Sequence, residues 1–254
     1  MDDFLLLKSV AIALWAGALV LLERLHPASP RPPRSDAPRY ARNLGLWLST
    51  VALSPLLTAP IALLATQTNV WSRPAFAHDG WLIVADLLVL DLWIYVWHRA
   101  NHEIPLLWRF HEIHHRDAFL DASSGVRFHP GEVALSALAR APLVVALDIP
   151  LATVLAFDAI ITVAALFHHS NVRLPPRLEA ALRLVLVTPS HHWVHHHAVR
   201  ADTDSNYGTS LTIWDRLFGT WNATQRTSGM KIGAENAPEL SLARLAIQPF
   251  RRRA

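Results

Sequence analysis

The chain has 254 residues, enough for one domain or two, with 52% hydrophobic and only 17% charged residues, against about 25% charged in soluble proteins. Cysteine is absent, which excludes disulfides, iron–sulfur clusters, thiolate zinc sites and a cysteine nucleophile. The net charge of +3 comes with arginines that flank apolar runs, a placement that fits anionic lipid headgroups rather than nucleic acid.

Phe4 to Leu22 is apolar apart from Lys8 and Ser9. Asp2 and Asp3 stand where a signal peptide would be basic, and Glu23-Arg24-Leu25-His26 is a poor cleavage site. The run is therefore read as a first spanning helix, which needs about 20 apolar residues. Arg24 to Arg42, rich in Pro and Arg, reads as a solvated loop. Leu44 to Ala65 is a second run, with a kink predicted at Pro55 and Pro60. Gln67 to Gly80 is a short polar connection, and Trp81 to Trp97 a third run. Glu132 to Phe167 is long enough for a tight or tilted helical hairpin broken at Asp148-Ile149-Pro150. Leu182 to Val187 is too short to span, and the chain is polar from His191 onward. These runs predict an all-α integral membrane bundle of about four spanning helices with a helical, His-rich cap. The segments are residues 1–85 (membrane helices and Arg/Pro loop), 86–221 (the His-bearing domain) and 222–254 (a polar tail, expected to touch lipid headgroups or be disordered).

The first loop carries Arg24, Arg31, Arg34, Arg39 and Arg42, whereas Gln67–Gly80 carries only Arg73. The positive-inside rule then puts the first loop in the cytoplasm and the N-terminus outside. Under that single assignment every histidine cluster lands on the cytoplasmic face, as in a bacterial inner-membrane protein. Several of the ten tryptophans, among them Trp15, Trp47, Trp71, Trp81, Trp93 and Trp97, lie in or at the ends of apolar runs and suit interfacial belts as well as a packed core.

His98 and His102 are spaced i, i+4; His111, His114 and His115 are spaced i, i+3, i+4; and His192, His195 and His196 repeat that second pattern. On a helix these spacings put imidazoles on one face, one turn apart, where they can converge on an ion. One such pair is weak; three clusters at the ends of apolar runs are not. His168-His169-Ser170-Asn171 adds a fourth cluster at a helix exit. Eight or more imidazoles exceed the needs of one four-coordinate ion and fit two. Imidazole suits Zn, Cu, Fe and Ni alike, so spacing leaves the metal open. Glu103, Glu112, Asp117, Asp121, Asp202 and Asp204 lie near enough in sequence to orient ligands, although any of them can be an ordinary solvated acid. Asp86, Asp91 and Asp158 sit inside apolar runs, where charge is costly, either lining a cavity or pairing between helices.

His111-Glu112-Ile113-His114-His115 also matches H-E-x-x-H, the zincin pattern, with Glu112 as general base. A zinc protease needs one further ligand, and the matched clusters supply at least five more histidines. A membrane protein that carries or buffers metal explains the histidines but not their repeated helical spacing.

The ordered set resembles the fatty acid hydroxylase / sterol desaturase superfamily of membrane di-iron oxygenases. The elements are His98-Arg99-Ala100-Asn101-His102, His111-Glu112-Ile113-His114-His115, Arg127-Phe128-His129-Pro130, Phe167-His168-His169-Ser170-Asn171 and Thr188-Pro189-Ser190-His191-His192-Trp193-Val194-His195-His196. Asn206-Tyr207-Gly208 and Trp214-Asp215-Arg216-Leu217-Phe218-Gly219-Thr220 close the match, which runs from Asp86 to Trp221. The resemblance implies that His98, His102, His111, His114, His115, His192, His195 and His196 bind two irons, with His169 and His129 as further ligands. Position 173 holds Arg173, so a further HxxxH pair seen in some members is incomplete, and Asn171 or a water is the expected substitute. His191 and His197 are read as flanking residues, and His26 and His78 as loop residues. It also implies O2-dependent hydroxylation or desaturation of a lipid drawn from the bilayer. Electrons would come from a ferredoxin or a cytochrome b5-type carrier with its reductase; Arg99, Arg109, Arg116 and Arg200 offer a basic face that suits either an acidic carrier or anionic lipid headgroups. The substrate remains open among sterols, fatty acyl chains, sphingoid bases, ether lipids and carotenoids.

Overall fold

Long apolar runs cannot leave backbone N–H and C=O groups unpaired in lipid, so each must become a helix. The computed structural model, which describes residues 2–31, 36–68, 70–73 and 80–251, shows this for every run. Arg34, His78, Arg252 and Arg253 lie outside the described residues. The long helices are α1 (Asp2–Leu25), α2 (Ala37–Gln67), α3 (Gly80–Glu103), α5 (Pro130–Leu147) and α6 (Leu151–His169). All five are long and apolar enough to cross a membrane, one more than the sequence reading counted. The extra span comes from the hairpin: α5 has 18 residues and α6 has 19, each about 27–29 Å long at 1.5 Å per residue and so close to a full hydrocarbon thickness. The protein is an integral membrane protein. The short helices α4 (Pro105–His115), α7 (Pro176–Leu182), α8 (Pro189–His195), α9 (Arg200–Thr203), α10 (Ile213–Leu217) and α11 (Leu242–Ile247) build the cap, and no strand occurs among the described residues.

Two sequence expectations are corrected. α2, which carries Pro55 and Pro60 inside it, begins seven residues earlier than Leu44, because Arg39 and Asn43 in its first turns are buried by partners rather than solvated. Arg39 donates to Asp117 and Asp121, and the Asn43 amide donates to Asp117 at 2.9 Å, pinning α2 to the loop after α4. Finally, the stretch from residue 222 folds back over the cap. Leu245 of α11 is fully buried against Leu46 and Ile113, and Phe250 packs edge-on against Phe110.

The Arg-bearing loop between α1 and α2 sits on the same face as the histidines. Ala28 N–H donates to the Asn171 carbonyl at 2.9 Å, and Arg173 N–H donates to the His26 carbonyl at 2.8 Å. Asn171, the expected substitute ligand, is used up here: its side chain exchanges two hydrogen bonds with the Ser29 backbone. His26 is exposed at this loop, as expected.

A 3-10 turn at Ala122–Val126 packs directly on α6. A Cβ on Gly125 would lie 2.6 Å from the Ala165 carbonyl oxygen, which is backbone and cannot yield. Gly17 in α1 has nothing within 4 Å of the same position. Gly125→Ala is therefore expected to cost about 1–3 kcal/mol and lower the melting temperature in detergent, while Gly17→Ala leaves it level or slightly raised. Equal melting temperatures for the two variants would refute this contact.

Candidate metal centre

Nine histidines converge in two groups. His98 and His102 come from the end of α3, His111 and His115 from α4 and His195 from α8; His114 (α4), His169 (α6), His192 and His196 (α8 and its end) form the second group. Within each group the ligand nitrogens lie within 4.8 Å of one another. The i, i+3, i+4 triplets thus split: α4 sends His111 and His115 to one group and His114 to the other, and α8 divides His195 from His192 and His196 in the same way. The groups adjoin, with the rings of His115 and His196 stacked at 4.2 Å. All nine are buried.

The hydrogen bonds fix which nitrogen is free. A carbonyl or carboxylate can only accept, so an Nδ1 facing one must carry the proton and leave Nε2 with its lone pair. Six of the nine are oriented in this way. His98 donates to the Tyr207 carbonyl at 2.8 Å, His114 to that of Arg127 at 3.1 Å, His169 to that of Ala165 at 2.7 Å and His195 to that of Ser205 at 2.7 Å. His111 donates to the Glu132 carboxylate at 2.7 Å and His102 to that of Asp204 at 3.2 Å. The inward nitrogens face one another. In the second group, the Nε2 atoms of His114 and His169 and those of His192 and His196, whose tautomers no acceptor fixes, approach at 3.0 to 3.2 Å. In the first, His98 and His111 Nε2 are 3.1 Å apart, while His102 Nε2, His195 Nε2 and both His115 nitrogens are buried without a partner among the described residues. Nitrogens about 2.0 Å from a shared tetrahedral ion would be about 3.3 Å apart, so both groups fit a cation that accepts imidazole. An all-imidazole set argues against calcium and magnesium, which take oxygen ligands.

Burial, followed by the neighbouring imidazoles, holds the pKa values of His114, His115, His192 and His196 well below the ordinary imidazole value; burial and nearby His98 do the same for His195. These rings stay neutral, as metal ligands must.

His129 is a correction. It caps α5: Nδ1 accepts from Gly131 N–H at 3.0 Å and Nε2 donates to the Ala246 carbonyl at 3.0 Å, so neither nitrogen is free for an ion. Its motif serves His114 instead, through the Arg127 carbonyl and through Phe128, whose ring stacks on His114 at 4.4 Å. His191 and His197 do stand aside, facing Asp215 at 3.3 Å and Asp202 at 2.7 Å.

Among the acids that the sequence offers as orienting groups, Asp204 meets a clustered histidine, His102. Glu112 is held by Arg116 at 2.9 Å, Glu103 by Arg99, Asp117 and Asp121 by Arg39, and Asp202 by Asn222 and His197. Glu132 orients His111, a role its sequence position hides, because an acid in the first turn of an apolar helix is also ordinary helix-end chemistry. Asn101 and His168 are further buried neighbours of the site; the His168 ring lies 4.0 Å from that of His192 but outside both groups. The closing motifs are a brace. Asp215 accepts from Gly208 N–H at 3.0 Å and from the Thr220 hydroxyl at 2.8 Å, which fixes the Asn206-Tyr207-Gly208 turn that receives His98.

A cavity of about 400 Å³ opens from the two groups into the helix bundle. His98, His111, His114, His169 and His192 line its floor, and Trp47, Val51, Phe157 and Ile161 stand among its apolar walls.

Residues 83–220 match the fatty acid hydroxylase family model, more than half of the chain. The chain belongs to the fatty acid hydroxylase family. It is 34% identical over 172 residues to an ornithine lipid hydroxylase of Rhizobium tropici, covering 67% of this chain and 51% of that protein. It is 33% identical over 155 residues to the human alkylglycerol monooxygenase, covering 60% of this chain and 32% of that one. A cholesterol 25-hydroxylase-like protein of Danio rerio is 29% identical over 149 residues, 58% of each chain. The chain thus spans about half the length or less of the first two relatives. No solved structure matches it.

Two predictions follow from this geometry. Glu132→Ala removes the acceptor that aims His111, so metal affinity should fall about 10- to 100-fold, read by competition with a chelator; unchanged affinity would refute the orienting role. The pH dependence has a definite sign. Histidines whose folded pKa lies below the unfolded value of 6.5 take up protons on unfolding, so they favour the fold above 6.5 and progressively oppose it as pH falls below that. Metal-stripped protein should therefore melt lower at pH 5.5 than at 7.5, and a flat profile would contradict neutral burial.

Proposed function

We propose that the protein is an O2-dependent lipid hydroxylase that works through two iron ions, one in each histidine group, on a substrate entering from the bilayer. The observation that carries this reading is that both imidazole groups open onto one apolar chamber inside a membrane bundle. Family membership supports it, as do relatives named for the hydroxylation of an ornithine lipid and the monooxygenation of an alkylglycerol. Those names favour hydroxylation over desaturation and carry over the lipid class, not one lipid. The bound iron pair would supply O2 activation and attack on an unactivated C–H bond. The chain's own residues do the rest: the nine histidines hold the ions, Glu132 and Asp204 aim two of them, and the apolar walls exclude water and steer hydrocarbon to the floor.

We assign the centre to the cytoplasmic side of a bacterial inner membrane; the face it shares with the Arg-rich first loop supports the cytoplasmic side. Acidic partners of those arginines do not weaken this, since acids contribute little to the positive-inside rule. Electrons are assigned to an external ferredoxin or cytochrome b5-type carrier with its reductase. Arg99, Arg116 and Arg200 are paired with Glu103, Glu112 and Asp204, so the docking face is less basic than the sequence alone implies. Trp108 bridges that face to the centre: the Arg200 guanidinium lies 4.6 Å over its ring, which is 5.0 Å from His102.

Elemental analysis of iron-supplied, detergent-purified protein should give about two irons per chain, with O2 uptake when reductant is added. His111→Ala and His195→Ala should lose both iron and uptake, whereas Glu112→Gln should keep most of each. One zinc per chain with activity abolished by Glu112→Gln would replace this reading with a metalloprotease.

A further inference from the structure

Three apolar helices each turn one polar pair, spaced i, i+4, into the upper part of the chamber. The pairs are Ser54 and Thr58 of α2, Ser136 and Arg140 of α5, and Asp158 and Thr162 of α6. A charge at this depth in a membrane helix is expensive. Arg140 and Asp158 meet each other, with Nη1 to Oδ1 at 2.6 Å and Nη2 to Oδ2 at 3.5 Å. The Asp158 side chain still keeps 43% of its surface exposed, and Arg140 keeps 13%. Arg140 has five N–H donors and its Nε has no partner among the described residues, so the pair retains both donor and acceptor capacity toward the chamber. Its height above the floor follows from helix rise. Arg140 is eight residues beyond Glu132, about 12 Å, and Asp158 is eleven residues before His169, about 16 Å. Thr58 is likewise eight residues, about 12 Å, beyond Thr50, whose hydroxyl donates to Phe128 beside His114.

Resting on the reading of this cavity as the lipid chamber, we infer that Arg140 and Asp158 form a second binding station. It would receive an uncharged hydroxyl or amide group of the substrate, some 12–16 Å by helix rise from the carbon held at the histidines. The charge state of the group follows from electrostatics. The ion pair is already neutral, so a carboxylate or ammonium docking on it would leave a net charge in a low-dielectric site, while a hydroxyl or amide both donates and accepts without one.

The test uses full-length protein in detergent and binding of tritiated hexadecan-1-ol, displaced by unlabelled hexadecan-1-ol, hexadecanamide, hexadecane or palmitate. The alcohol and amide should displace at concentrations about tenfold below the alkane and the carboxylate, the size expected of one net hydrogen bond. Arg140→Leu combined with Asp158→Leu removes the station without stranding a charge and should reduce the alcohol to the level of the alkane, with metal content unchanged. Arg140→Gln with Asp158→Asn keeps neutral hydrogen-bonding groups and should retain the preference. Equal displacement by alcohol and alkane in the wild type, or a preference that survives the double leucine variant, would overturn the station. Tightest displacement by palmitate would overturn its assignment to an uncharged group. The wild-type comparison decides alone where the leucine variant fails to elute as folded protein. Failure of all four compounds to compete, with no probe bound, would instead overturn the lipid chamber itself.

Discussion

Everything in the cap answers one constraint: nine buried imidazoles are gathered at two points, and several of their ring nitrogens have no partner among the described residues. An unpaired buried polar group costs about 1–3 kcal/mol, so several together rival the whole net stability of a domain, about 5–15 kcal/mol. The fold resists this by anchoring the rings from behind. Four of the six oriented histidines donate to backbone carbonyls, which cannot swing away as side chains can. A cation held by both groups would convert the worst feature of the fold into a source of stability, because it would bind the assembled groups more tightly than the unfolded chain.

The carbonyl anchors explain why so much chain without helical regularity surrounds the centre. Tyr207, Ser205 and Arg127 offer their carbonyls from turns, where a C=O is not consumed by an i to i−4 bond. Asn206 holds a positive φ of 53° to present the next residue. Asp215 and Arg127 are fully buried charges whose role is to hold such turns: Arg127 donates to the Ile113 carbonyl at 2.9 Å and to Asn43 at 2.8 Å. The sequence motifs outside the histidine clusters are thus chiefly supports, and their spacing reflects turns rather than ligands.

This separates what was legible in the sequence from what was not. Apolar runs and i, i+3, i+4 histidines obey local periodicities, so the long helices and the histidines that converge in the two groups could be read directly. His129 could not be told from a ligand, because its role depends on Gly131 next to it and on Ala246 far along the chain. Glu132, Arg39 and the packed segment after residue 222 escaped for the same reason. Their partners lie 21, 78 and more than 100 residues away, and no local pattern marks a long-range pairing.

The three acids inside apolar runs show how the bundle sorts charge. Asp86 is locked by Arg73 in a two-pronged pair at 2.8 and 2.9 Å, and Asp91 accepts from the Trp214 indole at 2.8 Å; both are buried ties between segments. Asp158 alone faces the chamber. A tube with only apolar walls cannot fix the register of a hydrocarbon chain, because successive methylenes are equivalent and sliding by one costs nothing. A centre that oxidises one carbon needs a stop at the other end of the substrate. The Arg140–Asp158 pair, at a set helical height above the histidines, is placed to convert the length of the substrate between its polar group and its reactive carbon into the position of attack.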